Sequence, residues 1–178
     1  MEMNKKTYTN FQDIPERMKA YYQVDVDFGS LKDNIERFIE QFNLELNPDF
    51  QRGHVWTEEQ QIEYVEFLLT DPDRDKSTQV VFNCPGWMGP RWKKEMVCVD
   101  CLQRITACLR FLNNEIPAYG TYYKDYTGWI RSKLQFVVGA FHKKSDVLKW
   151  YLEMNAKGTP HTDEELQKVR KLLEDTKD

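Results

Sequence analysis

A chain of 178 residues with 40% hydrophobic content can bury one core, so a single domain over residues 1–178 is expected. Its formal net charge of -4 argues against a protein whose main task is coating a phosphate backbone, although local basic patches remain compatible with it. Residues 1–18, MEMNKKTYTNFQDIPERM, are polar throughout, unlike a signal peptide, and no apolar run approaches the roughly 18 residues that span a bilayer. The expectation is a cytoplasmic protein.

In chain order, Gln23 to Val26 alternates like a short strand. Ser30 is placed to N-cap a helix whose Leu31, Ile35, Phe38, Ile39 and Phe42 form one apolar stripe. Leu44 to Leu46 reads as another short strand entering a turn at Asn47-Pro48. Thr57 with Gln60 spells a capping box for a helix buried through Ile62, Val65 and Leu69, and Asp71-Pro72 stops it. Gln79 to Phe82 and Glu95 to Val99 read as strands joined by a wet, aromatic loop, CPGWMGPRWKK. A helix then begins at Cys101, with Leu102, Ile105, Leu109 and Leu112 on one face. Ile116 to Ser132 is rich in tyrosine and glycine and weakly patterned. Leu134 to Val138 reads as a strand, and Ser145 as the cap of a helix through Met154. Thr162 with Glu165 forms another capping box, for a last helix over Asp163 to Glu174. The class is mixed α/β.

Cys98 and Cys101 form a CxxC, but Cys84 and Cys108 supply no second close pair. Cys108 lies two helical turns, about 10 Å, beyond Cys101. The histidines, His54, His142 and His161, are scattered. No zinc site is expected, and the cysteines are expected to be buried thiols that behave as small hydrophobes.

The junction VCVDCLQR raises a sharper question. Asp100 is well placed as an N-cap with Gln103 at N3, so a capping box explains both. It does not explain Arg104, a cation in the first helical turn, where the dipole favours acids. An anion held there would account for it, and so would a salt bridge; both stay open. In LELNPDFQRGHVW, Gln51 and Arg52 sit on a backbone stiffened by Pro48, Phe50 and Trp56. They read as a recognition pair, or as an arginine paired with Asp49. In EMNAKGTPHTDEEL, Asn155 and Gly158 fit C-cap or left-handed positions, and Lys157 and Thr159 could also reach a phosphate.

These segments, in this order, carry a resemblance. PDFQRGHVW resembles the PxFQRxxxW motif, VDCLQR the (V/I)DGxQR motif, and NAKGTPHTDEEL the N-x-x-G-T-x-x-x-x-x-E-L motif. All belong to the N-terminal domain family of GmrSD-type modification-dependent restriction systems, within the ParB/sulfiredoxin superfamily. The match spans about residues 44–166. It implies a ParB/sulfiredoxin-like α/β domain, a small mixed sheet with surrounding helices, that binds nucleoside triphosphates and in several relatives hydrolyses them. It assigns the phosphate motif to Asp100, Cys101, Gln103 and Arg104, with Gln51 and Arg52 as supports and Asn155, Gly158 and Thr159 in the third motif. If hydrolysis occurs, Asp100 and Gln103 would orient water or a metal such as Mg²⁺ beside Arg104.

Cys101 departs from the motif's glycine and places a side chain where backbone would approach the ligand closely. Aligned on the arginine, the catalytic cysteine of the sulfiredoxin branch falls at Leu102 and its histidine at Gln103, so reductase activity is not implied. No His-Asn-His nuclease domain follows within these residues, which would suit a stand-alone copy in a phage or mobile-element defence context. The alternative expectation is a nucleotide-gated or nucleotide-independent protein-interaction module without catalysis, which meets a host or defence protein through Trp87, Trp92 and the stretch Tyr119 to Tyr126. A third reading, a DNA-binding or DNA-nicking protein, is suggested by the superfamily but disfavoured by the acidic charge and the absent nuclease motif. Direct nucleic-acid binding is thus not expected, nor is a membrane partner.

Overall fold

Two short runs, VVF and FVV, are apolar without alternation, the pattern of strands covered on both faces. They lie in β2 (Gln79–Asn83) and β4 (Lys133–Gly139), which pair in parallel at the centre of a four-stranded sheet. β1 (Ala20–Asp27) flanks β4 and β3 (Val97–Asp100) flanks β2, both antiparallel, giving the order β1-β4-β2-β3. The structure, a computed structural model, describes residues 7, 9, 20–51, 53–70, 72, 77–87, 95–155 and 163–176.

Among these residues, helices cover both faces of the sheet. Val80, Phe82, Leu134, Phe136 and Val138 pack with α1 (Leu31–Phe42), α2 (Glu58–Leu69) and α3 (Leu102–Leu112). Val81, Val99 and Val137 pack with Phe50, α4 (Lys144–Asn155) and α5 (Asp163–Asp175). The fold is therefore mixed α/β, with a four-stranded mixed sheet and five α-helices among the described residues. No described helix is long and apolar enough to cross a membrane.

Local chemistry sets the ends of the helices. The Thr57–Gln60 capping box forms in both directions, with Gln60 N donating to Thr57 Oγ1 at 3.3 Å and Thr57 N to Gln60 Oε1 at 3.0 Å. α2 ends at Leu69, before Asp71-Pro72, as expected. α1 stops where Asn43 takes a left-handed conformation (φ 52°) and returns its N–H to the carbonyls of Phe38 and Ile39.

Several expectations shift. Ile39 is exposed, so the buried stripe of α1 is Leu31, Ile35, Phe38 and Phe42. On α2 the buried face is Gln61, Tyr64, Val65 and Leu68, and Ile62 and Leu69 are only half-buried. Gln61 can be buried because its amide donates to the carbonyls of Trp56 and Thr57 and accepts from Arg110. Leu44 to Leu46 is not a strand: Glu45 makes a single parallel bridge to Val97. Ser145 lies inside α4, which starts one residue earlier. Trp87 is half-buried rather than presented to a partner, with its ring 5.0 Å from Phe42 and 5.7 Å from Tyr22. Trp92 and the capping threonine Thr162 lie outside the described residues.

Candidate phosphate site at the β3–α3 junction

The β2–β3 ladder extends to Asp100, which pairs with Val81. That keeps Asp100 in the strand, so Cys101 becomes the N-cap and Leu102 the first helical residue. The expected Asp100–Gln103 capping box is therefore absent. Arg104, not Gln103, stands at N3, and the Cys101 side chain makes no capping bond. From N3 the arginine reaches back: Nη2 lies 2.9 Å from Asp100 Oδ1 and donates to the Asp100 carbonyl at 2.8 Å. The arginine side chain is 16% exposed and its partner 43%. The Nε of Arg104 is buried without a hydrogen-bond partner.

Gln103 does different work. Its Nε2 donates to the Gly53 carbonyl at 2.7 Å, and its Oε1 accepts from Val55 N at 3.0 Å and Trp56 N at 3.2 Å. Gln51 closes the other side, its Nε2 donating to the carbonyls of Cys98 at 3.0 Å and Val99 at 3.1 Å. Between them Gly53 turns at φ +76°, a left-handed value that costs glycine little. The two amides thus stitch the FQRGHVW segment to the strand–helix junction, so the first two sequence motifs meet in space.

Phe50, in the first motif, meets Tyr151 of α4 with ring centroids 5.4 Å apart, four residues before Asn155, where the third motif begins. Asn155 ends that helix and donates to the Tyr151 carbonyl at 2.7 Å, a bond within its own last turn. Arg52, Gly158 and Thr159 lie outside the described residues. Asp49, the suggested partner for Arg52, pairs with Lys144 at 2.6 Å. His54, on the pinned loop, has its pKa lowered, first by burial and then by the nearby Arg110 cation.

The cysteines correct another expectation. Cys98 and Cys101 are joined as a disulfide, because the strand end and helix start bring their Cα atoms to 5.8 Å, inside the usual span. Cys101 is buried in the main core with φ -148°, open to any residue, so the position does not demand glycine. Cys84 and Cys108 keep their thiols, both raised in pKa, chiefly by burial. Thiol titration of the unfolded, unreduced chain should therefore find these two groups, rising to four after reduction. Four without reductant would show the CxxC pair to be a dithiol.

Among the described residues, no group of three or more His, Cys, Asp or Glu side chains could hold a metal ion by itself. Mg²⁺ commonly uses one or two carboxylates together with substrate phosphates, and Asp100 fits that lesser role. Trp129 and Arg131, just past the tyrosine-rich stretch, belong to no motif. Their signal in the sequence is a tryptophan two positions from a cation where apolar periodicity is missing. No family model, curated protein or solved structure matches the chain.

Proposed function

We propose that the β3–α3 junction binds the phosphates of a nucleoside triphosphate. Arg104 itself carries this reading: a cation at N3 of a helix without a side-chain cap, its Nε buried and unpaired. The amides of Leu102, Gln103 and Arg104 are first-turn donors with no carbonyl behind them in the helix, an arrangement that favours anions. The bond to Asp100 uses only Nη2, and rotation of the guanidinium would bring its other edge to a phosphate. The motif resemblance supports the same assignment and adds Arg52, Gly158 and Thr159 as further contacts.

Gln51 and Gln103 act as positioning residues, since their amides are taken up by main-chain groups. The Asp100 carboxylate, whose Oδ1 pairs with Arg104, would orient Mg²⁺ or a water if hydrolysis follows. The resemblance also supports a phage or mobile-element defence setting with a host or defence protein as partner. The closed Asp100–Arg104 pair favours a second reading, a nucleotide-gated interaction module without turnover.

Thermal melts against a nucleotide panel with Mg²⁺ test the proposal. A ligand at about 100 times its dissociation constant adds about 2.7 kcal/mol. At about 2–4 °C per kcal/mol that is a rise of roughly 5–10 °C for the wild type. Arg104→Ala should show no such rise. Its ligand-free stability should change by about 1 kcal/mol or less, because losing an ion pair and relieving dipole repulsion oppose each other. Phosphate release would separate hydrolase from module. A wild type that no nucleotide shifts would end the proposal.

A further inference from the structure

The irregular chain between Ala118 and Lys133 folds over the far ends of α2 and α3 and leaves a groove of about 1330 Å³. Phe111 of α3 is in its lining, seven positions and about 10 Å along the helix from Arg104. The volume exceeds the roughly 300–1,000 Å³ of small-molecule sites, so a length of polymer fits better than a metabolite. Its lining is an unusual mixture of aromatic rings, among them Tyr119, Tyr126 and Trp129, with the cations Lys124, Arg131 and Lys133.

The three rings are exposed, and that of Tyr126 also packs edge-on against Phe111. Trp129 is 85% exposed and Tyr119 60%. The Tyr119 hydroxyl donates to the Glu66 carbonyl at 3.2 Å, and its amide to Glu66 Oε1 at 2.7 Å. The Tyr126 hydroxyl donates to the Ala118 carbonyl at 2.7 Å. With both hydroxyls turned into the protein, these tyrosines offer flat apolar surface rather than a polar handle. A peptide-binding tyrosine generally uses its hydroxyl as well, so the arrangement favours a planar stacking partner.

The charge is complementary to a polyanion. Lys124 and Arg131 have no carboxylate partner among the described residues, and Lys133 is held only loosely, 3.6 Å from Asp27, the one acid among the described lining residues. The chain-wide net charge that disfavours nucleic acid does not describe this face. We propose that the groove binds single-stranded nucleic acid, with bases stacked on Trp129, Tyr119 and Tyr126 and phosphates met by Lys124, Arg131 and Lys133. The proposal is independent of nucleotide binding at Arg104.

Fluorescence anisotropy of a labelled oligothymidylate of about 12 nucleotides, long enough for one such site, tests it on the full chain. The log of the binding constant should fall with log salt at a slope near -2, about -0.7 for each of three phosphate contacts. Trp129→Ala should weaken binding by about five- to 150-fold, the range for one stacked base, without changing that slope. Arg131→Ala should make the slope shallower by about 0.7. Both side chains are exposed, and a melt of each variant checks its folding. The proposal is overturned by no binding at low salt, by a duplex of equal length binding as tightly, or by binding indifferent to both substitutions. Displacement by polyglutamate at equal charge would also overturn it, as simple anion exchange.

Discussion

Phe82→Ala should lower the stability of the protein by about 3–5 kcal/mol, the range for deleting a buried aromatic side chain. Phe82 lies in central strand β2 and is fully buried, its ring 5.5 Å from Phe38 of α1 and 5.3 Å from Phe136 of β4. Those neighbours are fixed by a helix on one side and a paired strand on the other, so the cavity cannot collapse. At about 2–4 °C per kcal/mol the melting temperature should fall by at least 6 °C. Phe82→Leu, which keeps most of the apolar volume, should cost much less. A urea-denaturation difference below about 1 kcal/mol for the alanine variant would mean that the aromatic cluster is not the centre of the core.

The second large effect is expected at Gly139, the last residue of β4. A Cβ there would stand 2.6 Å from Trp150 Cζ3 and 3.1 Å from Phe141 Cε2. The constraint is room, not backbone conformation. Trp150 is buried and set edge-on to Phe141, ring centroids 5.2 Å apart, so it has little freedom to swing aside. Gly139→Ala should cost about 1–3 kcal/mol and Gly139→Val about 3 kcal/mol or more. Combining Gly139→Ala with Trp150→Leu should recover at least about 0.5 kcal/mol relative to the sum of the single changes. Strict additivity in that cycle would place the cost elsewhere.

What the sequence made legible is what depends on near neighbours. The Thr57–Gln60 capping box involves residues three apart, and the buried strands announce themselves as VVF and FVV. The start of α3 was less accessible, because β3 keeps pairing as far as Asp100 through a ladder to Val81. That one-residue shift moves Arg104 to N3 and frees Gln103 to hold a loop nearly fifty positions away. No periodicity marks such a contact. Gln61 was hidden for the same reason: it reads as polar surface until Arg110 supplies its long-range partner. At the candidate site the motifs selected Gln51, Asp100, Gln103 and Arg104, which do lie around one junction. Their hydrogen bonds, and hence the difference between a clamp and an ion pair, came only from the fold.

The position of β1 has a consequence during synthesis. Val24 pairs with Phe136, more than a hundred positions later, and β1 has no other strand neighbour among the described residues. At about 5–20 residues per second, the N-terminal strand waits on the order of ten seconds on the ribosome before its partner has been made. Over that interval Tyr22, Val24 and Val26 form an unpaired β-prone edge, the kind of segment that finds other chains. Asp25 and Asp27 alternate with those apolar residues, and their charge deters such encounters until β4 emerges. Replacing both aspartates would therefore burden the nascent chain more than the finished protein.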